Sequence, residues 1–96
     1  MSIEIAEAAR RHGVSEDRIR YVVDHCGLVF DQPAPDAAPG ESRLIYLGDD
    51  EHGVPLEIVA VESESGGVRV IHAMKLRSRY QKEYEEAIPW RKLSSS

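Results

Sequence analysis

Cysteine is almost absent from this sequence, in which Cys26 is the one thiol among 96 residues. A disulfide within the chain and a metal cluster built from several cysteines are therefore excluded, since each needs more than one thiol. Such sparse cysteine is typical of a protein kept in a reducing compartment, and we expect this chain to be cytoplasmic.

Long apolar runs are missing as well, so the sequence predicts no membrane span, which needs about 20 consecutive apolar residues. The first five residues contain neither a basic region nor an apolar stretch, and they do not predict a signal peptide. The balance of 42% hydrophobic and 30% charged residues indicates a soluble globular chain. We expect one domain over residues 1–90, followed by a frayed tail at residues 91–96.

Basic residues are fewer than acidic ones, 12 against 17, which gives a net charge of -5. This charge argues against nucleic-acid binding by the whole surface, because such binding depends on neutralising phosphates. Residues 69–82, however, contain basic residues and no acid, whereas residues 49–64 contain acids and no Lys or Arg. Any contact with nucleic acid must therefore use the local basic segment.

Two helices are predicted in the first third of the chain. The first covers residues 2–12, where small and apolar residues recur at helical spacing before Gly13. The second begins at Ser15, a good N-cap, and carries Glu16 and Asp17 in its first turn. Its apolar face contains Ile19, Val22, Val23 and Cys26.

A period of two residues, typical of strands, follows the helices. Strands are predicted at residues 28–30, 43–47, 56–61 and 68–72. The segment at residues 31–42 is rich in proline and predicts an exposed loop, whereas the later connections are short, polar and contain glycine, as in hairpins. These signals together predict an antiparallel sheet.

A last helix is predicted at residues 78–88, because Tyr80, Tyr84 and Ile88 share one face and Pro89 follows. We expect that face to pack on the sheet. The predicted fold class is α+β, with helices at both ends of a four-stranded antiparallel sheet in the order ααββββα.

The histidines and glycines predict neither a metal nor a cofactor. The four histidines are 13, 27 and 20 residues apart, and none of these spacings is that of a local ligand pair. Gly66 and Gly67 lie in a hairpin connection and not in a loop that surrounds a phosphate.

A helix-turn-helix is one alternative for residues 5–19, which combine an alanine-rich helix, a glycine turn and a second helix. A DNA-reading helix needs base-contacting side chains in its first turn, but Glu16 and Asp17 would face phosphate there. Packing of the two helices in the domain is the favoured interpretation.

A second candidate site lies around the last strand and the last helix, at His72, Lys75, Arg77, Arg79 and Tyr80. RNA cleavage by acid-base catalysis needs a proton acceptor, a proton donor and cations for the phosphate, and this set contains each type. The alternative is structural, with Tyr80 in the core, His72 satisfied within its strand and the cations in solvent.

The order of the motifs resembles that of the BrnT-like toxins of type II toxin-antitoxin pairs, over roughly residues 9–85. The similar segments are Arg11-His12-Gly13-Val14-Ser15, Val29-Phe30-Asp31, Arg43-Leu44-Ile45-Tyr46-Leu47-Gly48, Val70-Ile71-His72-Ala73-Met74 and Arg77-Ser78-Arg79. The resemblance implies a RelE-like fold, cleavage of an RNA substrate without a metal, and a cognate antitoxin protein as partner. The sequence is also compatible with a homo-oligomer.

On this basis His72 is predicted to be the catalytic acid or base, with Arg43 and Arg79 as phosphate clamps and Tyr80 as a further catalytic candidate. The residues predicted to contact RNA are Arg11, Lys75 and Arg77. Met74 stands where the family has an arginine, which leaves a second interpretation open: a non-catalytic protein-binding module of the same fold.

Overall fold

The computed structural model describes residues 3–26, 28–33, 42–63 and 66–87. Its strands are β1 (Ile3–Ile5), β2 (Leu28–Pro33), β3 (Ser42–Asp49), β4 (Pro55–Glu62) and β5 (Val68–Lys75). Its helices are α1 (Glu16–His25) and α2 (Gln81–Ala87), with short 3-10 helices at Glu7–Arg10 and Ser78–Tyr80. The loop was predicted at residues 31–42, but its first three residues belong to β2 and Ser42 belongs to β3, because these residues are paired across the two strands. Residues 34–41 and the predicted tail at residues 91–96 lie outside the described residues, as do Ile88 and Pro89.

The strands form one five-stranded mixed sheet in the order β1-β5-β4-β3-β2. Strands β2 to β5 pair antiparallel in chain order, whereas β1 pairs with β5 in parallel. The predicted RelE-like fold, ααββββα with a four-stranded antiparallel sheet, is therefore wrong. The error lies at the beginning of the chain, where a strand replaces most of a predicted helix.

The strand at Ile3–Ile5 forms because the edge of β5 offers it backbone partners. Ile3 lies opposite Val68 and Ile5 opposite Val70, and the backbone N–H of Ala6 continues the pairing to the carbonyl of Val70 at 2.8 Å. An isolated helix of this length is marginal in water, so pairing with the sheet prevails over the local helical spacing. Among residues 3–12, only Glu7–Arg10 is helical, and its turn is 3-10.

Helix α1 agrees with the sequence prediction at its beginning. Ser15 is the N-cap and its hydroxyl accepts a hydrogen bond from the backbone N–H of Arg18 at 3.3 Å. Glu16 and Asp17 lie in the first turn, where acidic groups favour the positive end of the helix dipole. The helix buries its predicted apolar face, which contains Ile19, Val22 and Val23.

The sheet separates two hydrophobic clusters. On the side of α1 the buried residues are Ala9, Val14, Ile19, Val22, Val23, Tyr46, Leu56, Ile58, Ala60, Val68, Val70 and Ala73. On the side of α2 they are Ile45, Leu47, Val59, Tyr80 and Tyr84, with Leu28, Phe30, Ile71 and Leu76 partly buried against them. Among the described residues, the buried cluster on the α2 side is thus the smaller of the two.

The last helical segment covers residues 78–87, a 3-10 turn followed by α2, as predicted for those residues. Its tyrosines are buried as expected, with Tyr80 6% and Tyr84 8% exposed. Both hydroxyl groups donate hydrogen bonds to the sheet: Tyr80 to Gln32 Oε1 at 2.6 Å and Tyr84 to Asp49 Oδ1 at 2.5 Å. The segment is therefore attached to β2 and to the end of β3. In the part of the chain that the structure describes, neither α1 nor α2 has the length and apolarity needed to cross a membrane.

Candidate active site

His72 lies near the end of β5, on the side of the sheet that α2 covers. It is half-buried and lies opposite Val59 of β4, which in turn lies opposite Ile45 of β3. The next β4 residue, Ala60, pairs with Val70, so that Ile71 is an extra residue in β5. This β-bulge lies directly before His72, and bulges of this kind redirect the side chains beside them.

The ring of His72 is in contact with the ring of His12. The ring centroids are 5.1 Å apart and the ring planes meet edge to face at 76°. His12 belongs to the exposed turn that follows the 3-10 helix Glu7–Arg10, and this helix packs against β5. Two histidines far apart in the sequence are thereby brought together at one edge of the sheet.

The pKa of His72 lies below its ordinary value of 6.5. Burial of the ring is the largest cause, followed by repulsion from His12 and from Arg77, while the carboxylate of Glu57 acts in the opposite direction. At neutral pH the imidazole of His72 is therefore uncharged, which is the form that accepts a proton.

Arg77 is bound to a carboxylate inside the sheet. Glu57 of β4 is 0% exposed, and its Oε2 accepts from Arg77 Nη2 at 2.6 Å and from Nε at 3.0 Å. The other oxygen, Oε1, accepts from the backbone N–H of Arg77 at 2.8 Å. The pKa of Arg77 is raised, first by the hydrogen bond to Glu57 and in spite of partial burial, so the guanidinium stays charged.

The other three predicted catalytic residues make their described contacts around β2 and β3. Tyr80 is buried edge to face against Phe30 at 6.1 Å between ring centroids, and its hydroxyl is bound to Gln32. Arg79 lies 4.9 Å above the Tyr80 ring, and Arg43 lies opposite Gln32 on β3. Arg43, Arg79 and Tyr80 are thus grouped around β2 and β3, although Tyr80 still lies near enough to Arg77 to contribute to the raised pKa of that guanidinium.

The remaining predicted RNA-binding residues differ in their position relative to the histidine pair. Arg11 precedes His12 and lines an open depression with Glu7, Ala8 and Arg10. Lys75 is exposed at the end of β5, but it lies opposite Leu56 and therefore on the α1 side of the sheet, away from the face of His72. The structure thus brings Arg11, His72 and Arg77 to one edge of the sheet.

The sequence prediction missed two residues of this arrangement, His12 and Glu57. His12 was considered for metal binding, where spacing along the chain was the criterion, but a contact between a turn and a distant strand has no local signal. For Glu57 a signal exists, because it is the one charged residue among residues 56–61 of a strand that is otherwise apolar. Such an acid on a covered strand predicts a buried partner cation.

The described residues also bear on the helix-turn-helix and on a metal site. The helix-turn-helix interpretation loses its first helix, because Ile5 belongs to β1 and only Glu7–Arg10 is helical before the turn. Among the described residues, no three His, Cys, Asp or Glu side chains lie together in a way that could hold a metal ion.

Comparisons with models of known protein families and with curated proteins gave no match.

Proposed function

We propose that this chain is a metal-independent endoribonuclease, the toxin of a type II toxin-antitoxin pair, which acts in the cytoplasm and is neutralised by a cognate antitoxin. The observation that carries this proposal is the contact between His12 and His72 beside Arg77. The resemblance of the sequence to BrnT-like toxins supports the same class of function.

In the proposed reaction the RNA supplies its own nucleophile. His72, uncharged at neutral pH, takes the proton of the 2′-hydroxyl as that oxygen attacks the adjacent phosphorus atom. The bond from phosphorus to the 5′-oxygen breaks, and His12, as the general acid, gives a proton to the leaving oxygen. The products are a 2′,3′-cyclic phosphate and a 5′-hydroxyl end.

The contact between the two rings fits this division of roles. His72 is held in a strand and half-buried, whereas His12 is exposed in a turn, so the ring of His12 can rotate away as a phosphate enters. Arg11, next to His12 in the same turn, adds positive charge for the RNA backbone. The electrostatic attraction is local, in agreement with the net charge of -5.

The direct test is cleavage of an oligoribonucleotide in the presence of EDTA by the wild-type protein and by His72→Asn and His12→Asn. Each substitution should lower the rate roughly 10²- to 10⁴-fold, because each removes one acid-base group. The wild-type rate should rise with pH through a midpoint below 6.5, where the base His72 loses its proton, and should fall at higher pH once the general acid has lost the proton that it donates. His25→Asn is the matched control, since His25 is exposed on α1 and stacks on Tyr21.

A second candidate function is a non-catalytic protein-binding module. The observation that favours it is that Arg77 and Tyr80, both predicted for the site, make their hydrogen bonds inside the fold. Met74 adds to it, because the chain lacks a cation at that position of β5. Growth arrest on expression without the partner would support the toxin. A harmless protein that binds the product of a neighbouring gene and leaves RNA intact would support the module.

A further inference from the structure

The guanidinium of Arg77 has two edges, and Glu57 occupies one of them. An arginine has five N–H donors in a planar fork. The carboxylate of Glu57 takes the edge formed by Nε and Nη2, with distances of 3.0 and 2.6 Å. Within the described part of the chain, every hydrogen bond of the Arg77 side chain goes to Glu57, so the edge formed by Nη1 and Nη2 keeps its donors.

The outer edge of the Arg77 guanidinium, formed by Nη1 and Nη2, is accessible to solvent, whereas the carboxylate of Glu57 on the other edge is not. The side chain of Arg77 is 44% exposed and that of Glu57 is 0% exposed. The backbone N–H of Arg77 is bound to the same carboxylate at 2.8 Å, so both ends of this side chain are fixed. A guanidinium held in this way loses little conformational freedom when it binds a second anion.

The position of this guanidinium relative to His72 follows from the strand register. Glu57 lies opposite Met74, and Val59, two residues further along β4, lies opposite His72. Alternate residues of a strand share one face, so Glu57 and His72 are diagonal neighbours on the α2 side of the sheet. After burial and His12, the charge of Arg77 is the next cause of the lowered pKa of His72.

We propose that Glu57 is a positioning residue, which holds Arg77 so that the outer edge of its guanidinium binds a phosphate of the RNA beside His72. The inference rests on the proposed ribonuclease function and names the group that binds the substrate phosphate. Arginine forms bidentate contacts with phosphate through such an edge. A lysine at this position has no fork and cannot hold the carboxylate and the phosphate in the same arrangement.

Stability alone is a weak reason for this arrangement. Burying a carboxylate removes it from water, and apolar residues of similar volume often stabilise a fold as well as a buried ion pair does. The neighbours of Glu57 on the same face of the sheet, Leu47 opposite it on β3 and Val59 two residues along β4, are apolar and buried. An apolar residue at position 57 would therefore suit the sheet but would leave Arg77 without its anchor.

Binding of a 2′-O-methyl oligonucleotide, which retains the phosphates and lacks the nucleophile, tests the proposal by fluorescence anisotropy. Glu57→Gln removes a negative charge, and by charge alone it would strengthen binding to RNA. If Glu57 positions Arg77, the affinity should instead fall about tenfold, the size expected for one lost bidentate contact. Arg77→Lys keeps both charges of the pair and should lower the affinity by a similar factor.

The matched control is Glu16→Gln, which removes the same charge from an exposed ion pair with Arg10. This variant should bind as tightly as the wild type or slightly more tightly. If Glu57→Gln does not fold, as judged by its melting curve, Arg77→Lys decides, because it retains the buried ion pair. Wild-type affinity in Arg77→Lys, tighter binding in a folded Glu57→Gln, or no binding by the wild type would overturn the proposal.

Cleavage of the unmodified oligoribonucleotide by the same proteins separates this inference from the proposed function. A wild-type protein that binds the methylated oligonucleotide through Glu57 and Arg77 but cleaves no RNA would contradict the ribonuclease and leave the phosphate contact standing. A wild-type protein that cleaves RNA, with variants that bind as tightly as it does, would overturn the positioning role alone.

Discussion

Asp50 shows how a single charged residue fixes a connection in this fold. It is 3% exposed, and its Oδ1 accepts from the backbone N–H groups of His52 and Val54 at 2.8 and 2.9 Å. Its Oδ2 accepts from Nε of Arg18 in α1 at 2.7 Å. One carboxylate therefore closes the turn between β3 and β4 and joins that turn to α1.

These hydrogen bonds decide the pKa of Asp50. Burial raises it, but the bonds from Val54, Arg18 and His52 outweigh burial and hold the pKa below its ordinary value of 3.8. A carboxyl group with a lowered pKa in the folded state stabilises the protein above its unfolded pKa. The stabilisation is lost as the pH falls through the lower, folded value.

We expect Asp50→Asn to lower the free energy of unfolding by about 2 kcal/mol at neutral pH, because a charge-assisted hydrogen bond to Arg18 is lost. The difference from the wild type should shrink as the pH falls below 3.8, where the wild-type carboxylate becomes protonated. Urea denaturation at several pH values measures both effects. Asp24→Asn is the control, since Asp24 is exposed on α1, and a pH-independent difference for Asp50→Asn would contradict the assignment.

At the scale of elements, Gly48 allows β3 to lie close to the end of α1. A Cβ atom built on Gly48 would lie 3.0 Å from Cys26 Cα and 3.3 Å from Cys26 Cβ. Because one of these atoms belongs to the backbone, rotation of the Cys26 side chain cannot relieve the contact. The glycine thus sets the distance between the sheet and the helix.

Gly48→Ala should therefore destabilise the protein by about 1–3 kcal/mol, the usual cost of overpacking. Thermal denaturation followed by circular dichroism checks this value. Val29→Ala serves as a comparison in a neighbouring strand, because Val29 is 48% exposed and its truncation should change stability by less than about 0.5 kcal/mol. If Gly48→Ala were as stable as the wild type, α1 would be able to move away from β3 with no loss of stability, which would contradict the prediction.

The elements also show which parts of this fold a sequence can predict. Helix α1 was predictable because its cap, its acidic first turn and its apolar face all agree. Strands β3, β4 and β5 were predictable because turn residues separate runs of strand formers. Strand β1 was not, since Ile3 and Ile5 fit both a helix and a strand, and the deciding partner lies in β5.

The candidate site follows the same rule. The sequence predicted His72, Lys75 and Arg77 together, because they are close along the chain and share β5 or the residues just after it. It also placed Tyr80 with them, although the hydroxyl of Tyr80 donates a hydrogen bond of 2.6 Å to Gln32 on strand β2. His12 depends on tertiary contact alone, and no local pattern reports it.

On the scale of the whole molecule, one sheet supports both hydrophobic clusters, so neither side can form without the other. Val59 of the α2 cluster and Ile58 of the α1 cluster are consecutive residues of β4. Loss of packing on the α2 side should therefore weaken the entire domain, in a single cooperative transition.

Tyr84→Ala should lower the free energy of unfolding by about 3–5 kcal/mol, the cost of removing a buried aromatic side chain. Tyr84→Phe keeps the ring and removes the hydrogen bond to Asp49, so its cost should be about 1 kcal/mol. Near- and far-ultraviolet circular dichroism should give the same midpoint for each variant. Separate midpoints, or a stability of Tyr84→Ala equal to that of Tyr84→Phe, would contradict one cooperative core.

The parallel pairing of β1 with β5 determines when the histidine pair can form during folding. Strands β2 to β5 are neighbours in chain order, and their hairpins close short loops, which is fast. Strand β1 must wait for the strand most distant from it in sequence, and a long loop costs more entropy to close. His12 follows β1 into place, so we expect a partly folded or nascent chain to carry His72 without His12. A ribonuclease that depends on this pair would then be inert until its sheet is complete.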